Sequence, residues 1–160
     1  MQRFSLTNKT LVRDAQKFLD LKPLIVREAD SLNTIAKSII MNPTVFNVYV
    51  SDREGRLIGI IPIKIIYENI FSQVISDELC EIGDYCDASF IEGQVVIARD
   101  IMSAPVYVKM EDTIKDTFEK MKQNNLEELP VVTDRLEIKG CVNTQHLLNI
   151  WLLSHFSSRT

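Results

Sequence analysis

Histidine and cysteine are scarce in this chain, and their placement limits the chemistry it can carry. The histidines are His146 and His155, and the cysteines are Cys80, Cys86 and Cys141. A Ser–His or Cys–His nucleophile pair would have to use one of those two imidazoles, and nothing near either in sequence suggests one. Cys80 and Cys86 have five residues between them and no histidine nearby, so no zinc site is expected. No Gly-x-Gly-x-x-Gly, Walker-type loop, His-Glu-x-x-His or Gly-x-Ser-x-Gly run occurs. Asp77, Glu78, Glu81, Asp84 and Asp87 offer oxygens to a hard cation, but their spacing is not that of an EF-hand loop. A solvated acidic linker is the simpler reading, and no metal site is assigned. Asn143, Thr144 and His146 form a polar group ahead of an apolar run, and Lys64 lies two residues after Pro62. Asn143 can donate or accept, whereas a neutral histidine offers one donor and one acceptor. Two readings stand for this set: a helix cap with a partly buried histidine, or a group that meets a ligand.

The elements that position these residues come in duplicate. Pro23-Leu-Ile-Val-Arg-Glu-Ala-Asp-Ser-Leu32 matches Pro105-Val-Tyr-Val-Lys-Met-Glu-Asp-Thr-Ile114 in residue type, 82 positions on. The same offset sets Ile39 against Met121, Asn42 against Asn124, Tyr49-Val50 against Val131-Val132 and Ser51-Asp-Arg53 against Thr133-Asp-Arg135. Gly59 and Gly140 are only 81 apart, so one residue is expected to drop out of the second turn. Each copy reads as β-α-β-β-α. The opening strands are Leu24-Ile-Val26 and Val106-Tyr-Val108. Ser31 and Thr113 then cap a helix. Leu32, Ile35, Ala36, Ile39 and Ile40 form one helical stripe, and Ile114, Phe118 and Met121 form the other. Asn42-Pro43 and Asn124-Asn125 end these helices, because Asn tolerates the left-handed conformation.

A hairpin follows in each copy, from Val45–Val50 to Leu57–Ile61 and from Leu129–Val132 to Ile138–Val142, with Gly55 in the first turn. Closing helices are expected over 63–74 and 144–155, and one more over Leu11–Leu21. The last closing helix is apolar nearly all round, through Leu147, Leu148, Ile150, Trp151, Leu152 and Leu153. It calls for burial on more than one side, against a second copy of the chain or against the N-terminal helix. The expected boundaries are 1–75 for the first copy with its N-terminal helix, 76–94 for the acidic linker and 95–160 for the second copy.

Composition agrees with an ordinary folded protein. The chain has 160 residues, 46% hydrophobic and 25% charged, with a net charge of −4 and no Lys/Arg run. That gives no electrostatic reason to expect nucleic acid or an anionic membrane as partner. The apolar runs are too short for a membrane span, and Met1–Thr10 has no apolar signal core. An odd number of irregularly spaced cysteines points to a reducing compartment, so a cytoplasmic location is expected.

The duplicated unit resembles the CBS domain, and the pair resembles the tandem arrangement called a Bateman module, standing alone. Asp100-Ile-Met-Ser-Ala-Pro-Val106, Glu128-Leu-Pro-Val-Val-Thr-Asp134 and Gly140-Cys-Val-Asn-Thr-Gln-His146 carry the resemblance in the second copy. Val48-Tyr-Val-Ser-Asp52 and Gly59-Ile-Ile-Pro-Ile-Lys-Ile65 carry it more faintly in the first. It implies an α+β fold of two CBS-type repeats packed sheet to sheet with pseudo-twofold symmetry, and clefts at the seam. It further implies a regulatory module, not an enzyme, that binds an adenosine-type nucleotide (AMP, ATP or S-adenosylmethionine) in a cleft and acts through a partner protein. No cofactor is required, and a homodimer is expected. The alternative is a degenerate pair serving dimerisation or docking without nucleotide.

In the family motif a hydroxyl residue meets phosphate and an Asp holds the ribose. Pro62 and Ile65 occupy those places in the first copy, leaving Lys64 as its one group for an anion. Asn143 and His146 occupy them in the second, with Thr144 one residue late. The resemblance places the adenine edge at Ala104, Val106, Glu128, Leu129 and Pro130, partly through main-chain atoms.

Overall fold

The first unit begins where a β-prone run meets a capped helix. In the computed structural model, which describes residues 6–15, 22–81 and 95–156, strand β1 (Leu24–Arg27) leads to helix α2 (Leu32–Ile40). Ser31 Oγ accepts from the Thr34 N–H at 3.3 Å, satisfying one of the helix's free first-turn donors. Strands β2 (Asn47–Ser51) and β3 (Leu57–Pro62) then form a hairpin, and helix α3 (Ile63–Glu81) closes the unit. The second unit repeats the order: β4 (Val108–Lys109), α5 (Ile114–Asn124), β5 (Glu128–Val132), β6 (Ile138–Asn143) and α6 (Thr144–Phe156). Thr113 Oγ1 caps α5 through the Asp116 N–H at 3.0 Å. Short helices α1 (Val12–Ala15) and α4 (Ala98–Ile101) precede the two units.

Each unit holds a three-stranded sheet, ordered β1-β2-β3 or β4-β5-β6, with the first pair parallel and the second antiparallel. Helices cover one face of each sheet. The other faces meet at a seam where Tyr49, Leu57 and Ile60 pack with Val132 and Cys141. Leu57 N–H donates to Leu136 O across this seam at 2.8 Å. Leu136 has φ of 62°, a left-handed conformation that Gly55, with φ of 80°, adopts in the first turn. Leu136 holds this conformation while its side chain packs into the seam.

Several expectations are corrected. The register pairs Val50 with Gly59 and Val131 with Gly140. Tyr49 therefore corresponds to Pro130 and Asn47 to Glu128. The two hairpin turns are equal in length, with Asp52 Oδ1 and Thr133 Oγ1 each accepting from backbone N–H groups two and four residues on. The missing residue falls instead between α5 and β5. Ile40 and Phe118 do not join the helical stripes: they are 77% and 52% exposed, and Thr117 is buried in place of Phe118. Only Asn125 takes the left-handed cap, at φ 52°. Asn42 ends α2 through its side chain, whose Nδ2 donates to Ser38 O at 2.8 Å. Helix α3 extends through Glu81, so the start of the 76–94 span is helical.

The segments ahead of the units are exchanged. Val12 and Ala15 of α1 are fully buried in the core of the second unit, with Ile114, Met121 and Ile150. Ala98 of α4 is fully buried in the core of the first, with Leu32, Ile35 and Ile66. The backbone bonds match one for one. Val12 N–H donates to Asp112 O and Arg13 N–H to Met110 O. Ala98 N–H donates to Asp30 O and Arg99 N–H to Glu28 O. Each unit's helix cap is thus completed by the other unit's lead-in. The first-residue bridges Leu11–Thr113 and Ser31–Ile97 belong to the same pattern. Residues 16–21, the rest of the expected N-terminal helix, lie outside the described residues.

Candidate functional site in the seam

Alternation along β5 decides which side chains reach the seam. Leu129 and Val131 point into the helix-side core, while Glu128 and Val132 face the opposite sheet. Glu128 is only 3% exposed. Its Oε1 accepts from the Tyr49 hydroxyl of the first unit at 2.7 Å, and its backbone O accepts from Asn47 Nδ2 at 2.9 Å. Burial pushes the Glu128 carboxyl above the ordinary carboxylate range, although hydrogen bonds from Tyr49, Cys141 and Asn143 act the other way. Burial also raises Tyr49 and the Cys141 thiol, and the nearby Glu128 charge raises both further. Cys141 is therefore a protonated, buried thiol and not a nucleophile near neutral pH.

Glu128 lines a cavity of about 270 Å³, together with Cys141 and with Lys22, Leu24, Asn42, Thr44 and Val45 of the first unit. Its position follows from the twofold arrangement. Ser103, in the second unit's lead-in, pairs with Ile60 in the first unit's motif strand through two backbone bonds of 3.1 and 2.9 Å. By the same symmetry the first unit's opening, Lys22 and Leu24, stands beside Cys141 and the second unit's motif. The opening of one unit thus faces the motif strand of the other.

Asn143 pairs across strands with Glu128 and starts α6. Asn143 Oδ1 accepts from the His146 N–H at 2.9 Å, and His146 Nδ1 accepts from the Asn143 N–H at 3.2 Å. This is a reciprocal helix cap with histidine in the role usually taken by Glu. Because Nδ1 accepts, the proton of the neutral ring sits on Nε2. Burial lowers the His146 pKa, which favours that neutral ring. The acceptor expected for a ribose hydroxyl is spent on the helix, and a ligand would meet a donor.

The other predicted residues fall into separate places. Pro130 is buried in the sheet. Thr144 donates its N–H to Glu127 O at 3.0 Å and lines a different, apolar groove with Phe118, Leu147, Leu148 and Trp151. Lys64 is 81% exposed, 3.6 Å from Glu68 Oε1. Ala104 is exposed and Val106 packs against the second unit's core, in the lead-in that runs beside the first unit's strand. The structure therefore links Glu128 to Asn143 across the strands and Asn143 to His146 in the helix cap, and of the three only Glu128 lines the cavity with Lys22, Leu24, Asn42, Thr44 and Val45. No sequence signal marked these five, because their relation to the second motif arises only when the sheets pack. No group of three or more His, Cys, Asp or Glu suited to a metal exists among the described residues. Asp84, Cys86 and Asp87 lie outside them, as do the side chains of Asp77, Glu78, Cys80 and Glu81. No helix of the described residues is long and apolar enough to cross a membrane.

Residues 98–152 match the family model described as the CBS domain. A CBS domain-containing protein from Thermotoga maritima is 29% identical with a TM-score of 0.66, over 89% of this chain and 94% of that one. The CBS domain pair of protein MJ0100, solved in complex with 5′-methylthioadenosine and S-adenosyl-L-methionine, is 19% identical with a TM-score of 0.64, over 89% and 95%. A CBS domain protein from Pyrobaculum aerophilum complexed with AMP is 17% identical with a TM-score of 0.66, over 91% and 98%. At the two lower identities the likeness is one of fold. No curated protein matches.

Proposed function

We propose that this chain, a tandem pair of CBS domains, is a regulatory module that holds an adenine nucleotide in the cleft between Glu128 and the first unit's opening strand. The observation that carries the reading is an open cavity between the units whose wall includes Glu128, an acidic residue only 3% exposed. Burying a carboxyl without a cationic partner disfavours folding, and such groups concentrate at functional sites. The cavity, at about 270 Å³, falls just below the usual range of ligand-pocket volumes, about 300–1,000 Å³. Leu24 and Val45 give apolar surface for a flat base, Asn42 and Thr44 give polar groups, and Lys22 gives a cation for phosphate. The fold relatives solved with AMP, and with 5′-methylthioadenosine and S-adenosyl-L-methionine, support this ligand class.

The module acts through a partner rather than by catalysis. Thermal denaturation with AMP, ATP and S-adenosylmethionine tests the reading. A ligand at one hundred times its dissociation constant adds about 2.7 kcal/mol of stability. No shift with any of the three at millimolar concentration would refute it.

A homodimer is the second part of the proposal. Tyr67 and Phe71 on α3 are 49% and 62% exposed, and at equivalent places on α6 Leu148 and Leu152 are 63% and 44% exposed. Trp151 adds to the second face at 47%. Two symmetry-related apolar faces suit an isologous contact with another copy. The same faces favour the alternative of a docking module without nucleotide. Sedimentation at tens of micromolar should show a dimer; a monomer would remove this part while leaving the nucleotide reading intact.

A further inference from the structure

We propose that Glu128 sets the charge preference of the seam cavity, favouring a neutral or cationic adenosine ligand over an anionic nucleotide until its carboxyl takes up a proton. The inference rests on the nucleotide reading above and narrows its ligand class. Glu128 and Cys141 both line the cavity, and the Cys141 thiol donates to the Glu128 carboxyl, so the carboxyl sits against a second residue of the same wall. The groups facing it are the Tyr49 hydroxyl from β2, and the Cys141 thiol and Asn143 side chain from β6. All three are uncharged donors, and Glu128 forms no ion pair among the described residues. Its charge is hydrogen-bonded but not neutralised. Lys22, the cation of the cavity lining, is exposed, so water and salt screen it. Glu128 is 3% exposed and keeps its field.

A field acts on a ligand without a free oxygen aimed at it. Through a low-dielectric wall an ionised carboxyl repels a phosphate, attracts a sulfonium and leaves an uncharged thioether nearly indifferent. By linkage, a bound anion disfavours the ionised carboxyl and raises its pKa. AMP binding therefore takes up a proton, and it tightens as pH falls through the window between the free and bound values. Burial already raises that pKa in the free protein. Each pKa unit that the anion adds corresponds to about tenfold in affinity between the two protonation states.

Calorimetry compares AMP, uncharged 5′-methylthioadenosine and cationic S-adenosylmethionine at pH 8 and pH 5.5, on the full chain and on Glu128→Gln and Tyr49→Phe. At pH 8 Glu128→Gln should tighten AMP by about tenfold, weaken S-adenosylmethionine and leave 5′-methylthioadenosine nearly unchanged. The gain for AMP should shrink at pH 5.5, where the wild-type carboxyl takes its proton. Tyr49→Phe removes a bond that lowers the Glu128 pKa, so its AMP affinity should begin to rise at a higher pH than in wild type. The wild type alone gives a reading that needs no variant to fold. In buffers of different ionisation enthalpy at pH 6.5, AMP should take up protons on binding, whereas a phosphate held by Lys22 alone would release them. No gain for AMP in Glu128→Gln at pH 8, an equal gain for all ligands, or proton release by the wild type would overturn this inference alone. Binding of none of the three ligands would overturn the nucleotide reading and this inference with it.

Discussion

Tyr49→Phe isolates one hydrogen bond across the seam. Tyr49 is fully buried, so the variant keeps the ring and its packing and loses only the hydroxyl. What it strands is the Glu128 carboxyl, 3% exposed and 2.7 Å from that hydroxyl. A hydrogen bond to a charged group contributes about 1.5–3 kcal/mol, so a loss of about 2 kcal/mol is expected. For a chain of this size that is a drop in Tm of roughly 4–8 °C, at about 2–4 °C per kcal/mol.

The loss should depend on pH with a definite sign. Burial raises the Glu128 pKa in the folded state, so its protonation favours folding. That stabilisation is complete below the unfolded value and disappears as pH rises through the folded one. The Tyr49 bond pulls the same pKa down. Its own contribution is therefore present when Glu128 is ionised and shrinks as pH falls through the folded pKa. Urea denaturation of wild type, Tyr49→Phe, Glu128→Gln and the double variant at pH 7 and pH 4 gives the coupling energy at each pH. Coupling near zero at pH 7, or larger coupling at pH 4, would refute this account of the seam.

Gly59→Ala should destabilise by about 1–3 kcal/mol in urea denaturation, because a Cβ there would lie 2.9 Å from both Cβ and Cγ of Met102. Shortening Met102 to Ala in that background should recover part of the loss. Val12→Ala should cost about 1.6 kcal/mol, at roughly 0.8 kcal/mol per buried CH₂. Hydrogen exchange should then quicken around α5 and α6 of the second unit before the first, because Val12 packs there. His146, whose folded pKa is lowered by burial, should contribute stability above its unfolded pKa of about 6.5 and lose it as pH falls through the folded value. His146→Gln should remove that acid-side loss in pH-resolved melts, a result separable from Glu128, whose protonation acts in the opposite direction.

Much of the fold was legible because its signals are local. Ser31 and Thr113 announce their helices through bonds to residues three positions on, and Leu32, Ile35 and Ile39 keep one face by helical periodicity alone. The place of the deletion was not legible. Val131-Val132 matches Tyr49-Val50 as well in type as Pro130-Val131 does, and only the ladder from β5 to β6 resolves which pair is equivalent. Ile40 and Phe118 fit their stripes by spacing, yet the stripe does not say how far round each helix the sheet reaches.

The candidate site divides in the same way. Glu128, Asn143 and His146 are marked in the sequence by their places in the resemblance to the CBS motif. Their roles were decided by neighbours far along the chain. Tyr49 is 79 residues from Glu128 and holds its carboxyl. Lys22 and Leu24 wall the cavity from the opposite unit. The lead-in segments cross to complete each other's caps. Sequence by itself determined two similar units, because caps, stripes and turns act within a few residues. Tertiary structure decided which opening faces which motif and which carboxyl is buried, because both depend on two sheets meeting about a twofold axis that no local pattern encodes.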